Sequence, residues 1–323
     1  MENITNKTPV NILDAIRNGT AFEAIQPFQE PSWLMRDFAY QAQIIQIQGQ
    51  SGGTWIGCEL AKSIAEGSRF VSRYECTAPC GVVYIQGGMT DSHIRERISR
   101  LSTLENRASI NIISPEKTFN DEPPNLCDET FQDEFSAALS TNTYGAAIFD
   151  TVGCFMPEKP EPSQIIRLIN CLKKAGLTII NVKSKEKNGL DIPWNQADLI
   201  LKINRMNDFD DLTLQCSFHK ARSLKPDQQK TFFVKLTETD GGKLSFTGCV
   251  LDEFLKARTV QLLLNGWKQA KIANEIGKNQ STVSRWIKES IIPESLLVKD
   301  NRRYIPTEAG RRLLEKHDLG LEI

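Results

Sequence analysis

The chain has 323 residues, 40% of them hydrophobic and 24% charged, with a formal net charge of −1. That length allows one large α/β domain plus a small module, and the composition is that of an ordinary globular protein. No apolar run approaches the length of a membrane span, and the first residues lack a basic, apolar, small-residue signal pattern; both predict a cytoplasmic protein with no membrane partner.

The near-zero balance hides an asymmetry. From Lys256 onward there are 13 Lys/Arg and 8 Asp/Glu, so this tail carries +5 and everything before it −6. A basic tail on an acidic body points to nucleic acid meeting the C-terminal end, although a mildly basic domain is also an ordinary solvated surface. Of the eight cysteines, only Cys76 and Cys80 lie close together, with no second pair and no nearby histidine. Reduced, packed thiols are therefore expected there rather than a zinc site.

In chain order, residues 1–40 show little periodicity and read as a leader or arm, with a short helix over 11–19 and a loop over 27–33. From 41 to 250 the pattern alternates. Strands are predicted at 43–48, 81–86, 110–113, 145–150, 176–182 and 199–203, and helices at 54–66, 92–101, 128–139 and 164–175. Near-continuously apolar strands separated by amphipathic helices predict a mostly parallel sheet covered on both faces. Strand-like runs at 212–218, 231–236 and 243–249, without intervening helices, predict an antiparallel extension at one edge.

Within this domain the stretch Gly49-Gln50-Ser51-Gly52-Gly53-Thr54 follows an apolar strand and opens an amphipathic helix. Strand, glycine-rich turn and helix is the layout of a phosphate-binding P-loop, in which backbone N–H groups and a helix N-terminus face the phosphates. The motif G-x-x-x-x-G-K-[ST] is not satisfied: anchored on Thr54, Gly53 stands where the lysine belongs.

Residues 251–323 form the tail module. A helix over 250–264 precedes NGWKQAKIANEIGKNQSTVSRWIKES, where Ile272, Ala273 and Ile276 share one helix face, Gly277 ends that helix, and Ser281 caps a second helix that buries Val283 and Trp286 or Ile287. This is a helix-turn-helix pattern, and the alternative is a helical hairpin that merely packs on the larger domain. Asn301, Arg302 and Arg303 read as the turn of a wing, Tyr304 and Ile305 as its returning strand, and Thr307 as the cap of a closing helix with Leu313 and Leu314 inside. In such modules the N-terminal residues of the second helix touch base edges. Gln280, Ser281, Thr282, Ser284, Arg285 and Lys288 are the candidates here. Lys268, Lys271 and Lys278 are placed for phosphates, as are Arg302 and Arg303 in the wing. Trp286 reads as core.

An ordered set of segments resembles the RecA-like ATPases related to the RepA-type hexameric replicative helicases of plasmids and phages. They are Trp33-Leu34, the loop from Gly49 to Trp55, Val82–Met89 followed by Arg95, Glu96, Arg97 and Leu101, Ala147–Thr151 at the Walker B place, and Phe218–Arg222 at the family's Lys-x-Arg segment. The resemblance covers about two thirds of the chain. It implies a RecA-like fold and an ATP–Mg²⁺ site built from Gly49, Gln50, Ser51, Gly52, Gly53 and Thr54, with Thr54 and Asp150 on the metal. It also implies a homo-oligomer, a hexameric ring or dimer, in which Lys220 and Arg222 reach a neighbour's site. Thr54 and Asp150 read equally as caps, and Lys220 and Arg222 as a solvated strand face.

The departures fall on chemistry. Phosphoryl transfer needs positive charge on the phosphates, a held Mg²⁺ and a group that orients the water. Gly53 replaces the lysine, and Lys62 lies two helical turns on. Gly88 stands where the family has its glutamate, and Asp91 falls past the strand end. Asn181 and Val182 stand where it often has a His-His pair. Each such loss costs about two to three decades of rate. Little turnover is expected, so Asp150, Lys220 and Arg222 would be catalytic only in an active ring ATPase, the alternative to a DNA-binding scaffold or nucleotide sensor.

Overall fold

The computed structural model describes residues 32–49, 51–101, 110–116, 124–140, 143–183, 190, 192–193, 195–206, 212–300 and 303–316. The leader up to residue 31, its short helix, and Gln50 and Arg302 among the site candidates lie outside the described residues.

The elements run β1 (Trp33–Met35), β2 (Ala39–Tyr40), β3 (Ile44–Gly49), α1 (Gly53–Glu66), β4 (Arg69–Phe70), β5 (Tyr74–Glu75), β6 (Gly81–Gln86), α2 (Asp91–Leu101), β7 (Ile110–Ile113), α3 (Glu129–Ser140), β8 (Tyr144–Asp150), α4 (Pro162–Lys174), β9 (Thr178–Lys183), β10 (Leu199–Arg205), β11 (Leu212–Ala221), β12 (Phe232–Glu238) and β13 (Leu244–Val250). The C-terminal module follows with α5 (Leu251–Leu264), α6 (Gln269–Glu275), α7 (Gln280–Trp286), β14 (Leu297–Asp300), β15 (Arg303–Pro306) and α8 (Glu308–Lys316).

A nine-stranded sheet carries the larger domain in the order β13-β12-β11-β10-β3-β9-β8-β6-β7. From β10 to β7 every pairing is parallel, and β11, β12 and β13 extend it antiparallel, as the helix-free runs predict. Alternation along the strands sends side chains to opposite faces. Ile45, Ile47, Tyr84 and Val182 pack with Ile56, Leu60 and Ile64 of α1 and Ile94 and Ile98 of α2. Ile44, Val83, Phe149 and Ile179 pack on the other face with Phe131 of α3 and Ile165 and Leu168 of α4. This is the RecA-like arrangement of the sequence reading, with the loop-bearing strand β3 in the middle of the sheet.

Two hairpins correct that reading. Trp33, expected in a loop, opens β1, which pairs with β2 and stacks Trp33 on Tyr40 with ring centroids 3.8 Å apart. β4 and β5 form a second short hairpin, turned at Val71 and Ser72, both at positive φ. Strands of two or three residues are too short to show a period.

The C-terminal module is fastened to the sheet without a linker. α5 starts at the residue after β13. Phe233 of β12 meets Phe254 of α5 at 4.7 Å between centroids, and Met206, just past β10, packs against the same apolar cluster as Ile272, Val283, Trp286 and Leu314. Among the described residues no helix is long and apolar enough to cross a membrane.

Candidate nucleotide cleft and DNA-reading helix

The glycine loop lies where the sequence puts it. β3 ends at Gly49 against Ile203 of β10, and a Cβ at Gly49 would come within 2.7 Å of the Ile203 carbonyl oxygen. Gly52 is the N-cap of α1 at φ +87, a left-handed conformation that favours glycine, and no side chain caps the helix. The first N–H groups of α1 therefore face a cleft of about 300 Å³. Gly49, Ser51, Gly52, Gly53 and Thr54 line one side of it. Arg97 of α2, Lys183 of β9 and Arg205 of β10 also line it, and Arg97 stacks on Trp55 at 4.7 Å from the ring centroid.

Val182 occupies the ground where a lysine at position 53 would start. A Cβ on Gly53 would lie 2.9 Å from Val182 Cγ1. Asn181, the other residue at the family's His-His place, faces the opposite side of the sheet and donates to the Leu190 carbonyl at 2.9 Å. At the place of the missing glutamate, a Cβ on Gly88 would press Thr151 Cγ2 at 3.2 Å. Asp91 starts α2 and pairs with Arg95 at 2.6 Å, and Lys62 pairs with Glu59 at 3.5 Å. None of Asp91, Lys62, Asn181 or Gly88 lines the cleft.

Asp150 does line it, but it is 1% exposed and its oxygens are engaged. Oδ2 accepts from the Tyr84 hydroxyl at 2.9 Å and Gln86 Nε2 at 2.8 Å, and Oδ1 from the Thr151 hydroxyl at 3.0 Å. Thr54, nearby, also favours its charged form. Burial raises the pKa of Asp150 above the ordinary carboxylate value, against these neighbours, which favour the charged form. A carboxylate offers about four lone-pair sites, and these three donors take most of them. As arranged, Asp150 is tied to Tyr84, Gln86 and Thr151 within the chain. Thr54 is not the cap, which is Gly52.

Sequence reading missed Tyr84, Gln86 and Arg205. Gln86 was visible as a lone polar side chain ending an apolar strand, and its amide also accepts from the Gly88 N–H at 2.6 Å. Lys220 and Arg222 stand at the far end of the sheet from the loop: Ala221 pairs with Leu199, whereas Gly49 pairs with Ile203. Arg222 donates to the Asn195 carbonyl at 2.8 Å and lies 3.9 Å from Asp198. Partial desolvation and the neighbouring Arg222 lower the pKa of Lys220. Within one chain, neither residue meets the cleft.

In the C-terminal module α6 ends at Gly277, φ +64, where Lys278 N–H bonds back to the Ala273 carbonyl at 2.9 Å. The cap of α7 is Asn279, whose Oδ1 accepts from Thr282 N–H at 2.8 Å; Ser281, expected as the cap, is a helix residue whose hydroxyl donates to Asn279 at 2.7 Å. The extended backbone at Asn279 starts the helix one residue after it. Val283, Trp286 and Ile287 are buried, so Trp286 is core as predicted. Gln280, Ser281, Arg285 and Lys288 are exposed, Thr282 and Ser284 half-buried. Lys268 and Lys271 are exposed before the turn, with Lys271 Nζ 3.5 Å from the Trp267 ring centroid, and Lys278 is half-buried. Exposed Arg303 opens β15, which pairs with β14. The Thr307 hydroxyl accepts from Gly310 N–H at 3.1 Å, starting α8 as expected.

Residues 251–290 match the model of a homeodomain-like domain family. The C-terminal module is thus a helix-turn-helix of a DNA-binding class, joined to the mostly parallel sheet of the larger domain. No curated protein matches the chain. Among solved structures, a KaiC-like protein of the hyperthermophilic archaeon Pyrococcus horikoshii OT3 is similar at 11% identity and a TM-score of 0.45, over 67% of this chain and 95% of that one.

Proposed function

We propose that this chain binds duplex DNA at specific sites through α7 and the wing, and that its RecA-like domain holds nucleotide without efficient hydrolysis, as scaffold or sensor. The setting is a plasmid or other mobile element, in the cytoplasm, in control of replication or transcription. Copies of the chain associate as a ring or dimer, with Lys220 and Arg222 at the contact. Their position away from their own cleft is compatible with reaching another copy's.

One observation carries the reading: α7 turns Gln280, Ser281 and Arg285 to solvent, with exposed Lys288 just beyond it, while Val283 and Trp286 anchor its other side. Arg pairs bidentately with guanine and Gln with adenine, and the Thr282 methyl suits thymine. The test is fluorescence anisotropy with duplexes selected from a random pool. Affinity should fall steeply with salt, and Arg285→Ala should remove about 1–3 kcal/mol of discrimination at one base pair. Equal affinity of the native chain for selected and scrambled duplexes would sink it.

A second reading, a DNA-dependent ring ATPase, draws on Lys183, which lines the cleft and could stand in for the loop lysine. DNA-stimulated phosphate release abolished by Asp150→Ala would favour it.

A further inference from the structure

The cleft carries charge of one sign from elements that the P-loop pattern does not include. Arg97, Lys183 and Arg205 come from α2, β9 and β10 and converge on a space of about 300 Å³, with the uncapped start of α1 on its side. The carboxylate in the lining, Asp150, is 1% exposed and accepts from Tyr84, Gln86 and Thr151. Direct ligation of a Mg²⁺ by Asp150 would have to compete with these partners. A lysine on the loop would have to move Val182, whose Cγ1 would lie 2.9 Å from its Cβ. The loop lysine therefore has no room here and the Asp150 carboxylate is engaged within the chain, while three other cations line the same space. Arginine forks match phosphate oxygens, and unlike an ion they are fixed in place.

We propose that the cleft takes the polyphosphate group of a nucleotide without a divalent metal, with Arg97, Lys183 and Arg205 supplying the countercharge. The inference rests on the reading of this cleft as a nucleotide site. It differs from that reading in what holds the phosphates, and so in who competes for them: inorganic tripolyphosphate should occupy the cleft as well as a nucleoside triphosphate. Trp55, in the lining and stacked on Arg97, gives an optical signal inside the site.

The experiment is a titration of the full chain with tripolyphosphate and with ATP, followed by calorimetry and tryptophan fluorescence, in excess EDTA and in excess Mg²⁺. Binding should persist in EDTA at least as tightly as in excess Mg²⁺, which complexes the phosphates and competes with the side chains. Exposed Arg205→Ala should weaken binding about tenfold, and Arg205→Lys should recover part of it. Loss of binding in EDTA with retention in Mg²⁺ would overturn the metal-free site and leave the nucleotide reading standing. No binding of either ligand under either condition would sink both. Binding in EDTA unaffected by Arg205→Ala and by Lys183→Ala would remove these side chains from the site and overturn the proposal.

Discussion

The Tyr84 hydroxyl donates to Asp150 Oδ2 across 2.9 Å, in a place where neither side chain is more than 1% exposed. The carboxylate that ends β8 is thereby built into the core. Removing the donor leaves a buried acceptor short of a partner, which costs about 1–3 kcal/mol. Tyr84→Phe should lower the unfolding free energy by that amount, read as a lower denaturation midpoint with the slope unchanged. A variant as stable as the native chain would mean that Asp150 does not depend on this bond.

Restoring the missing lysine should fail for a steric reason. Gly53→Lys drives a Cβ to 2.9 Å from Val182 Cγ1, and overpacking of this kind costs about 1–3 kcal/mol. The single variant should melt lower, and adding Val182→Ala should recover part of the loss, because the two sites share one space. Neither variant should release phosphate from ATP, since Gly88 still lacks a carboxylate. Thermal melts of the pair and a phosphate-release assay check both statements.

Positively charged groups around α7 should divide by role. Lys268→Ala and Lys278→Ala should weaken all duplexes alike and reduce the salt slope by about one each. That outcome is read from anisotropy at several salt concentrations. A change confined to one sequence would instead put the lysine on a base edge.

Glu59, in α1, is 2% exposed, with Lys62 3.5 Å from one oxygen and no hydrogen-bond partner for the other. Burial, the largest influence, raises its pKa from 4.5 to about 7. The folded chain binds this proton more tightly than the unfolded one. The stability it contributes is therefore present below pH 4.5 and lost as pH rises through about 7. Glu59→Gln should remove that decline, so the variant's Tm should gain on the native one between about pH 5 and about pH 8. A difference independent of pH would show that the carboxyl titrates normally.

The sheet was legible because its signal is local. Ile44, Ile45 and Ile47 alternate between the two faces, and glycines at 49, 52 and 53 mark the turn that follows. The helix-turn-helix was legible for the same reason, down to Gly277 at its positive φ. What escaped depends on long-range pairing. Arg205 reaches the cleft because β10 runs beside β3 and ends next to Gly49. Nothing in residues 199–205 announces that neighbour. The cap moved from Ser281 to Asn279 because both residue types cap well, and only the backbone at Asn279 decides between them.

Arg205 faces the cleft while Met206, the next residue, is seated against the cluster that holds α6 and α7. With α5 leaving β13 directly, the reading head has no tether on which to swing. In any assembly of this chain, the distance and angle between two reading heads would be dictated by how the sheets sit against each other. The assembly would then act as a ruler, accepting half-sites at one separation and phase and rejecting the same half-sites moved by a few base pairs.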